Sequence, residues 1–410
     1  MSGDANYNYK HFAWLRTLNG TILIDGVKVT SWDVAKNDYD TNVADGRSYV
    51  LAKGDARLDI ANADLSYLGS ADGESYGVAW RDTNSDQQPD VLRTQVTGEV
   101  LDSTFSYNYS NPTKFVKIGE GFFSGGCAPK PRCAPRAFTT HVGLLYYGIY
   151  TYQASNMVFR GNRFHHNLGY GFDPHDFTHH VLVENNQAFE NGNHGFIISR
   201  GCNNFVFRGN VSYNNHYRLG EAERRAHGFM IDPGSPTSQY PQVASFDNLF
   251  ENNQAYGNDG YGMRVLGANT NTIQSNTFRD NGQGIRANGA DITANTWQEN
   301  QVFDNRDGGI VTTSAASTGI PAPKLMREET VVTGSAAPGA VVELFSDNGG
   351  QGRFFETRVT AGTDGSFRVE HNWQGANVNA TATDSNGNSS AFTLNRSALL
   401  PAVYLPLIQR

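Results

Sequence analysis

Seven glycines set the spacing of this chain. Gly148, Gly171, Gly195, Gly228, Gly262, Gly284 and Gly309 each open an alternating apolar strand, at successive gaps of 23, 24, 33, 34, 22 and 25 residues. From about residue 144 to 314 one unit recurs around them: an apolar strand, an Asn, an aromatic, a second Asn, then the Gly and another strand. NMVFRGNRFHHNLGYGFDPHD (156–176) and HVLVENNQAFENGNHGFIISR (180–200) show it in full. The two long gaps hold insertions at 218–225 and 234–243, which belong on loops at one side of a stack. Strands this short leave no room for helical periodicity, and a single unit cannot bury its own apolar face. Stacked units bury it jointly, with like residues above like.

That pattern predicts an all-β chain: a right-handed parallel β-helix (a solenoid) over 1–313, then a small Ig-like β-sandwich. The pairs expected to point inward are Ile149/Thr151, Phe172/Pro174, Phe196/Ile198, Phe229/Ile231, Met263/Val265 and Ile285/Ala287. Asn162, Asn186, Asn210 and Asn253 are expected to form a buried ladder, each amide bonding the next coil and tolerating the turn conformation there. The N-terminal third repeats more loosely, in 20–33, 56–69 and 75–82, with residues 1–13 as a cap or a strand at the open end. Residues 314–323 read as a linker, 324–397 as the sandwich with DG and NG turns, and 398–410 as an apolar tail. The part beyond the linker is expected to fold separately and to serve targeting, attachment or weak glycan contact.

Composition narrows the partners. A net charge of −8 argues against a nucleic-acid binder, so an anionic polymer would have to meet a local basic site. No run of 18 apolar residues is present, and a membrane-spanning helix is not expected. The start, MSGDANYNYK, has no apolar h-region, which fits a secreted or periplasmic protein whose signal peptide is absent from this stretch. Nothing in the pattern asks for an oligomer, and a monomer is expected. Cys127 and Cys133 are close enough in sequence to bridge within a loop, or to remain two thiols.

Outward residues of a stacked sheet form columns about 4.8 Å apart. The position before each glycine reads Tyr147, Tyr170, His194, His227 and Tyr261, a stripe expected to offer sugars flat ring faces and polar tips. The second position after it reads Tyr150, Asp173, Ile197, Met230, Arg264 and Arg286. The fourth reads Tyr152, His175, Ser199, Asp232, Leu266 and Asn288. Chemistry is densest at YGFDPHD (170–176), with Arg200 one coil on. His175, Asp173 and Asp176 could ligate a cation, but no further ligand is clearly placed nearby, and no metal is expected there.

YGFDPHD, with its flanks GYGFDPHDFTHHVLVENNQAFENGNHGFIISR, resembles the signature of the mannuronan C5-epimerases, and in particular their periplasmic branch. SYGVAWRD and YYGIYTYQASNMVFRGN are similar to segments that precede the signature there. The resemblance covers roughly residues 14–310. It implies a β-helix enzyme that inverts C5 of mannuronate within alginate, with His175 as base, Tyr170 as acid, Asp173 in support and Arg200 neutralising the uronate carboxylate. A further histidine of the family matches His194 in one branch and His227 in the other. Asp176, Tyr147, Tyr150, Tyr152, Asp232 and Arg264 complete the expected substrate groove.

The residue chemistry agrees: a C5 proton α to a carboxylate is removable only if the developing charge is compensated, and a guanidinium fork suits that carboxylate. A polysaccharide lyase shares these steps until C4–O breaks, and a non-catalytic carbohydrate-binding β-helix would need none of them. Residues 112–140 add Lys114, Lys117, Lys130, Arg132 and Arg136 against Glu120, a loop suited to clamping a polyanion. No cofactor is expected. DTNSDQQPD offers Asp82, Asn84 and Asp86 at calcium-loop spacing but lacks the glycine at the sixth position.

Overall fold

The computed structural model describes residues 14–43, 47–70, 77–81, 95–109, 148–216, 225–236, 241–289, 292–312 and 319–393. Three parallel sheets of ten, nine and nine strands run along the solenoid among these residues. Each coil gives one strand to each sheet. The coil carrying DPHD contributes Phe172–His175, His179–Glu184 and Gln187–Phe189, and the next contributes Phe196–Ser199, Asn203–Arg208 and Val211–Tyr213. The N-terminal third joins the same stack. Trp14–Leu18, Tyr49–Lys53 and Val78–Arg81 extend the first sheet, and Thr21–Asp25 and Arg57–Ala61 extend the second.

The apolar residues expected to point inward do so. Phe172, Phe196, Ile198, Phe229, Ile231, Met263 and Val265 belong to one continuous buried core. Like residues stack: Phe196 lies 5.1 Å from Phe229, and Phe207 lies 4.5 Å from Phe250, ring centre to ring centre. Each such ring contributes about 1.5–3 kcal/mol by leaving water. The glycines that set the repeat have a steric reason. A Cβ on Gly195 would sit 2.0 Å from the Ser212 hydroxyl and 3.0 Å from the Gly228 carbonyl oxygen, where the chain turns tightly into the first sheet.

The asparagine ladder runs as expected and continues further. Asn186 accepts from the Asn162 amide and donates to Asn210, which donates to Asn253, at 2.9–3.0 Å. It extends through Asn276 to Asn300. One expectation is corrected. The ladder asparagines do not take the left-handed conformation. The residue before each does: Gly161 (φ 72°), Asn185 (55°), Gly209 (64°) and Asn252 (55°). A second ladder escaped the sequence reading: Asn167, Asn191, Asn215, Asn258, Asn281 and Asn305. Its signal was in view, because these residues lie five positions after the first set.

The Ig-like sandwich pairs Lys324–Glu328, Val331–Ser335 and Ser366–Glu370 in one sheet and Val341–Asp347, Phe354–Thr360 and Asn377–Thr383 in the other. It docks on the end of the solenoid. Phe345 and Phe392 join the solenoid core, and the Trp297 indole donates to the Ser390 carbonyl at 2.7 Å. Gln351 takes the place of a next ladder residue: its Oε1 accepts from the Asn305 amide at 3.1 Å, and its Nε2 donates to the Asn305 carbonyl at 2.6 Å. The sandwich therefore covers the last coil. Residues 1–13 and 398–410, the 112–140 loop with Lys114 and Lys117, Cys127, Cys133, and the Asp82, Asn84 and Asp86 loop lie outside the described residues.

Candidate active site

The first sheet carries the expected columns in register. Tyr150 pairs with Asp173 and Tyr152 with His175. Ser199 pairs with Asp232, Met230 with Arg264, and Arg264 with Arg286. The floor is partly apolar: Tyr150, Tyr152, Tyr170, Ile197 and Met230 form a second buried cluster outside the solenoid core. Tyr150 lies 5.7 Å from the His175 ring, and the Arg81 guanidinium lies 5.6 Å from the centre of Tyr152. Arg81 was missed in sequence because the irregular N-terminal repeats hid its register with Tyr152. Tyr147 lies outside the described residues.

His175 is the most exposed member of the reacting cluster, with 22% of its side chain open, while Asp173 is fully buried. Its Nδ1 lies 2.6 Å from Asp176 Oδ1. Burial opposes a charge on this imidazole, but the carboxylates of Asp176, Asp173 and Asp232 outweigh it and raise its pKa to about 9. His175 therefore carries its proton at neutral pH. Asp176 is buried, which alone would favour its acid form, yet the His175 and Arg200 charges hold it below the usual carboxylate range. Pro174 lies between Asp173 and His175, and its carbonyl faces the buried Cys202 thiol at 3.7 Å.

Arg200 departs from its expected place. It is 5% exposed, and each guanidinium nitrogen is engaged by protein: Nε donates to Asp176 Oδ1 at 3.1 Å, Nη1 to the Pro241 carbonyl at 2.6 Å and Nη2 to the Ser235 carbonyl at 2.6 Å. Its fork is therefore not offered to a substrate carboxylate. It fixes Asp176, and through it His175, against the base of the 234–243 insertion. Sequence carried no signal for those carbonyl partners.

The column before the glycines is also arranged differently from expectation. Tyr170, His194, His227 and Tyr261 stack on one another at 5.1, 4.4 and 4.5 Å. Neighbouring rings cover the faces, so a polymer would meet ring edges and polar tips. Asp232 is half-buried, and its Oδ1 accepts the Gly234 N–H at 3.0 Å. Among the described residues no group of three or more His, Cys, Asp or Glu is arranged to hold a metal, and no helix is long and apolar enough to cross a membrane.

Known proteins bear on this geometry in three ways. The family model described as "Right handed beta helix region" matches residues 87–237 and 243–320, and "Bacterial Ig domain" matches 321–395. A mannuronan C5-epimerase of Pseudomonas fluorescens is 25% identical over 271 residues, covering 64% of this chain and 44% of that protein. The chain thus spans less than half the length of that relative. Mannuronan C5-epimerase AlgE3 of Azotobacter vinelandii is 36% identical over 97 residues, 24% of this chain and 4% of that protein. The crystal structure of the periplasmic alginate epimerase AlgG shares the fold, with a TM-score of 0.51 at 22% identity, covering 71% of this chain and 58% of that one.

Proposed function

Because this chain belongs to the right-handed β-helix family and is a relative of mannuronan C5-epimerases, we propose that it epimerises C5 of uronate residues in an anionic polysaccharide, converting mannuronate to guluronate in alginate. The observation that carries this reading is the chain His175–Asp176–Arg200, which holds a protonated imidazole on the outward row of the first sheet, beside Tyr150 and Tyr152.

The chemistry follows from charge. Loss of the C5 proton moves its electron pair into the C5–C6 bond and leaves a second negative charge on the carboxyl group. An imidazolium beside it compensates that charge. The same imidazolium then delivers its proton to C5 from one face. Tyr170, at the start of the same coil, is left as the acceptor on the other face, taking the substrate proton as its phenolate. After one turnover the imidazole is neutral and the phenol protonated, and exchange with water restores both. The resemblance implies the opposite assignment, a His175 base and a Tyr170 acid, which holds the same number of protons; the assignment made here follows the proton that the neighbouring carboxylates keep on His175. Arg200 positions Asp176. A periplasmic or secreted site of action suits this reading, as the name of the AlgG neighbour states for that protein.

The test is incubation with polymannuronate in D2O. Deuterium at C5 with no new ultraviolet-absorbing chain ends is the expected result. Unsaturated ends would make the protein a lyase, and neither signal would leave a binding module.

A further inference from the structure

The stacked column holds two histidines whose ring nitrogens do different work. His194 Nδ1 accepts the backbone N–H of His227 at 2.9 Å, and His227 Nδ1 accepts the backbone N–H of Tyr261 at 3.0 Å. A nitrogen that accepts cannot carry a proton, so in each neutral ring the proton sits on Nε2. The chain makes room for this bond. A Cβ on Gly260 would lie 2.2 Å from His227 Nδ1. Both rings are more than nine-tenths buried, and their planes lie within 9° of parallel.

His227 Nε2 lies 3.4 Å from Arg264 Nη1. With the proton on Nε2 both atoms are donors, so neither satisfies the other. Arg264 Nε is buried with no hydrogen-bond partner. Two N–H groups on two side chains, His227 Nε2–H and Arg264 Nη1–H, therefore stand side by side without satisfying each other, and the Arg264 Nε–H, on the other edge of the guanidinium, is likewise unpartnered. An oxyanion with two oxygens fits this set, because a guanidinium edge and a neighbouring N–H can share it. Burial, with His194, Arg264 and Arg225 nearby, holds the His227 imidazole well below its usual range, and Tyr261 covers its other face.

We propose that His227 and Arg264 form a carboxylate subsite for a uronate residue two to three sugars from the reacting one, in which His227 is a fixed neutral donor that never transfers a proton. The proposal rests on the polyuronate reading above. The distance follows from the stack: His227 is two coils from Tyr170, and Arg264 is three strands from Asp173, about 10–14 Å at the spacing of adjacent strands. Chains too short to span that distance cannot use the subsite.

The experiment compares wild type, Arg264→Gln, His227→Asn and His227→Gln on oligomannuronates of two and of eight residues, reading kcat and KM for C5 exchange. His227→Asn keeps an acceptor for the Tyr261 N–H but removes the far donor. His227→Gln keeps a far donor but loses that acceptor. Arg264→Gln and His227→Asn should each raise KM for the octamer about tenfold, with the loss falling on KM rather than kcat and with the disaccharide affected less than twofold. His227→Gln should keep more of the octamer affinity than His227→Asn. Nitrogen NMR of labelled histidine in the free protein should show His227 as the neutral Nε2–H tautomer from pH 6 to 9. A His227 that titrates near 6.5, a proton on Nδ1, or a loss confined to kcat would overturn the proposal while leaving the polyuronate reading intact. Absence of both binding and exchange in wild type would overturn that reading, and the subsite with it.

Discussion

At the scale of single residues, the site is governed by one imidazole and what surrounds it. His175 is raised to about 9 by carboxylates that outweigh its burial. The working pair, imidazolium and phenolate, holds one proton fewer than imidazolium and phenol, so C5 exchange should climb as pH rises towards about 9. A neutral His175 facing a Tyr170 phenol holds the same number of protons and gives the same limb, so a profile that stays flat from pH 6 to 8 would overturn the pair in either arrangement. Asp176→Asn removes the nearest raising charge and should bring that limb down by at least one pH unit. Stability has the opposite sign. The folded value lies above the unfolded 6.5, so the stabilisation from this pair is complete below about 6.5 and is lost as pH rises through about 9. Arg200 acts through its neighbours. Arg200→Ala leaves the Asp176 carboxylate and two carbonyls without their donor, and breaking a buried pair costs about 3–5 kcal/mol. Arg200→Lys keeps a charge but cannot reach three acceptors in a plane, so it should lose most of the stability and the turnover that Arg200→Ala loses. Thermal denaturation and exchange rates measured together check this. A lysine variant with wild-type stability and turnover would return Arg200 to the surface role first expected of it.

At the scale of the element, the coil repeats because its buried polar groups close on themselves. The Asn210 Oδ1 accepts from the Asn186 backbone and amide, and its Nδ2 donates to the Val183 carbonyl and to Asn253. Asn210→Ala leaves several of these groups unsatisfied in a site with no exposure, at about 1–3 kcal/mol each. Denaturant unfolding should show a loss of roughly 3 kcal/mol or more, against near neutrality for an exposed polar residue such as Gln254. A loss below 1 kcal/mol would mean that water replaces the amide. The repeat also explains what the sequence disclosed. Period, inward pairs, outward columns and the ladder all follow from spacing, so the register of Tyr152 with His175 could be read before any coordinates. The partners of Arg200 could not, because Ser235 and Pro241 lie in an insertion that obeys no period. The ring stacking of Tyr170, His194 and His227 was implicit in the column, but whether a ring offers its face or its edge depends on side-chain torsion, which spacing does not encode.

At the scale of the whole molecule, the open end of a solenoid needs a cover, and the Ig-like sandwich supplies one for the last coil. Its Gln351 continues the second ladder beyond Asn305, and its Phe392 packs on Gly309, where a Cβ would lie 2.7 Å from the ring. The active centre is five strands away along the first sheet, between Phe172–His175 and Ile310–Thr312. A chain ending at residue 320 should therefore keep its turnover per folded molecule while losing stability, as Trp297 and the ladder ends meet water. The junction itself is titratable. Glu343 is 2% exposed at the interface, where its Oε2 accepts the Glu299 backbone N–H at 2.8 Å, and burial raises its pKa to about 8. The unfolded side chain ionises at its ordinary 4.5, so between about 4.5 and 8 the unfolded state releases a proton that the docked state keeps. Docking is then strongest at acid pH and weakens as pH rises across that window, by an amount on the order of 5 kcal/mol at most. Glu343→Gln fills the same space without a charge. Its melting temperature should match wild type near pH 5, and from pH 6 upward it should fall less steeply than wild type, ending several degrees higher at pH 9. Parallel curves for the two proteins would show that Glu343 is already ionised in the docked state, held by Arg358, whose Nη2 lies 3.6 Å from its Oε1.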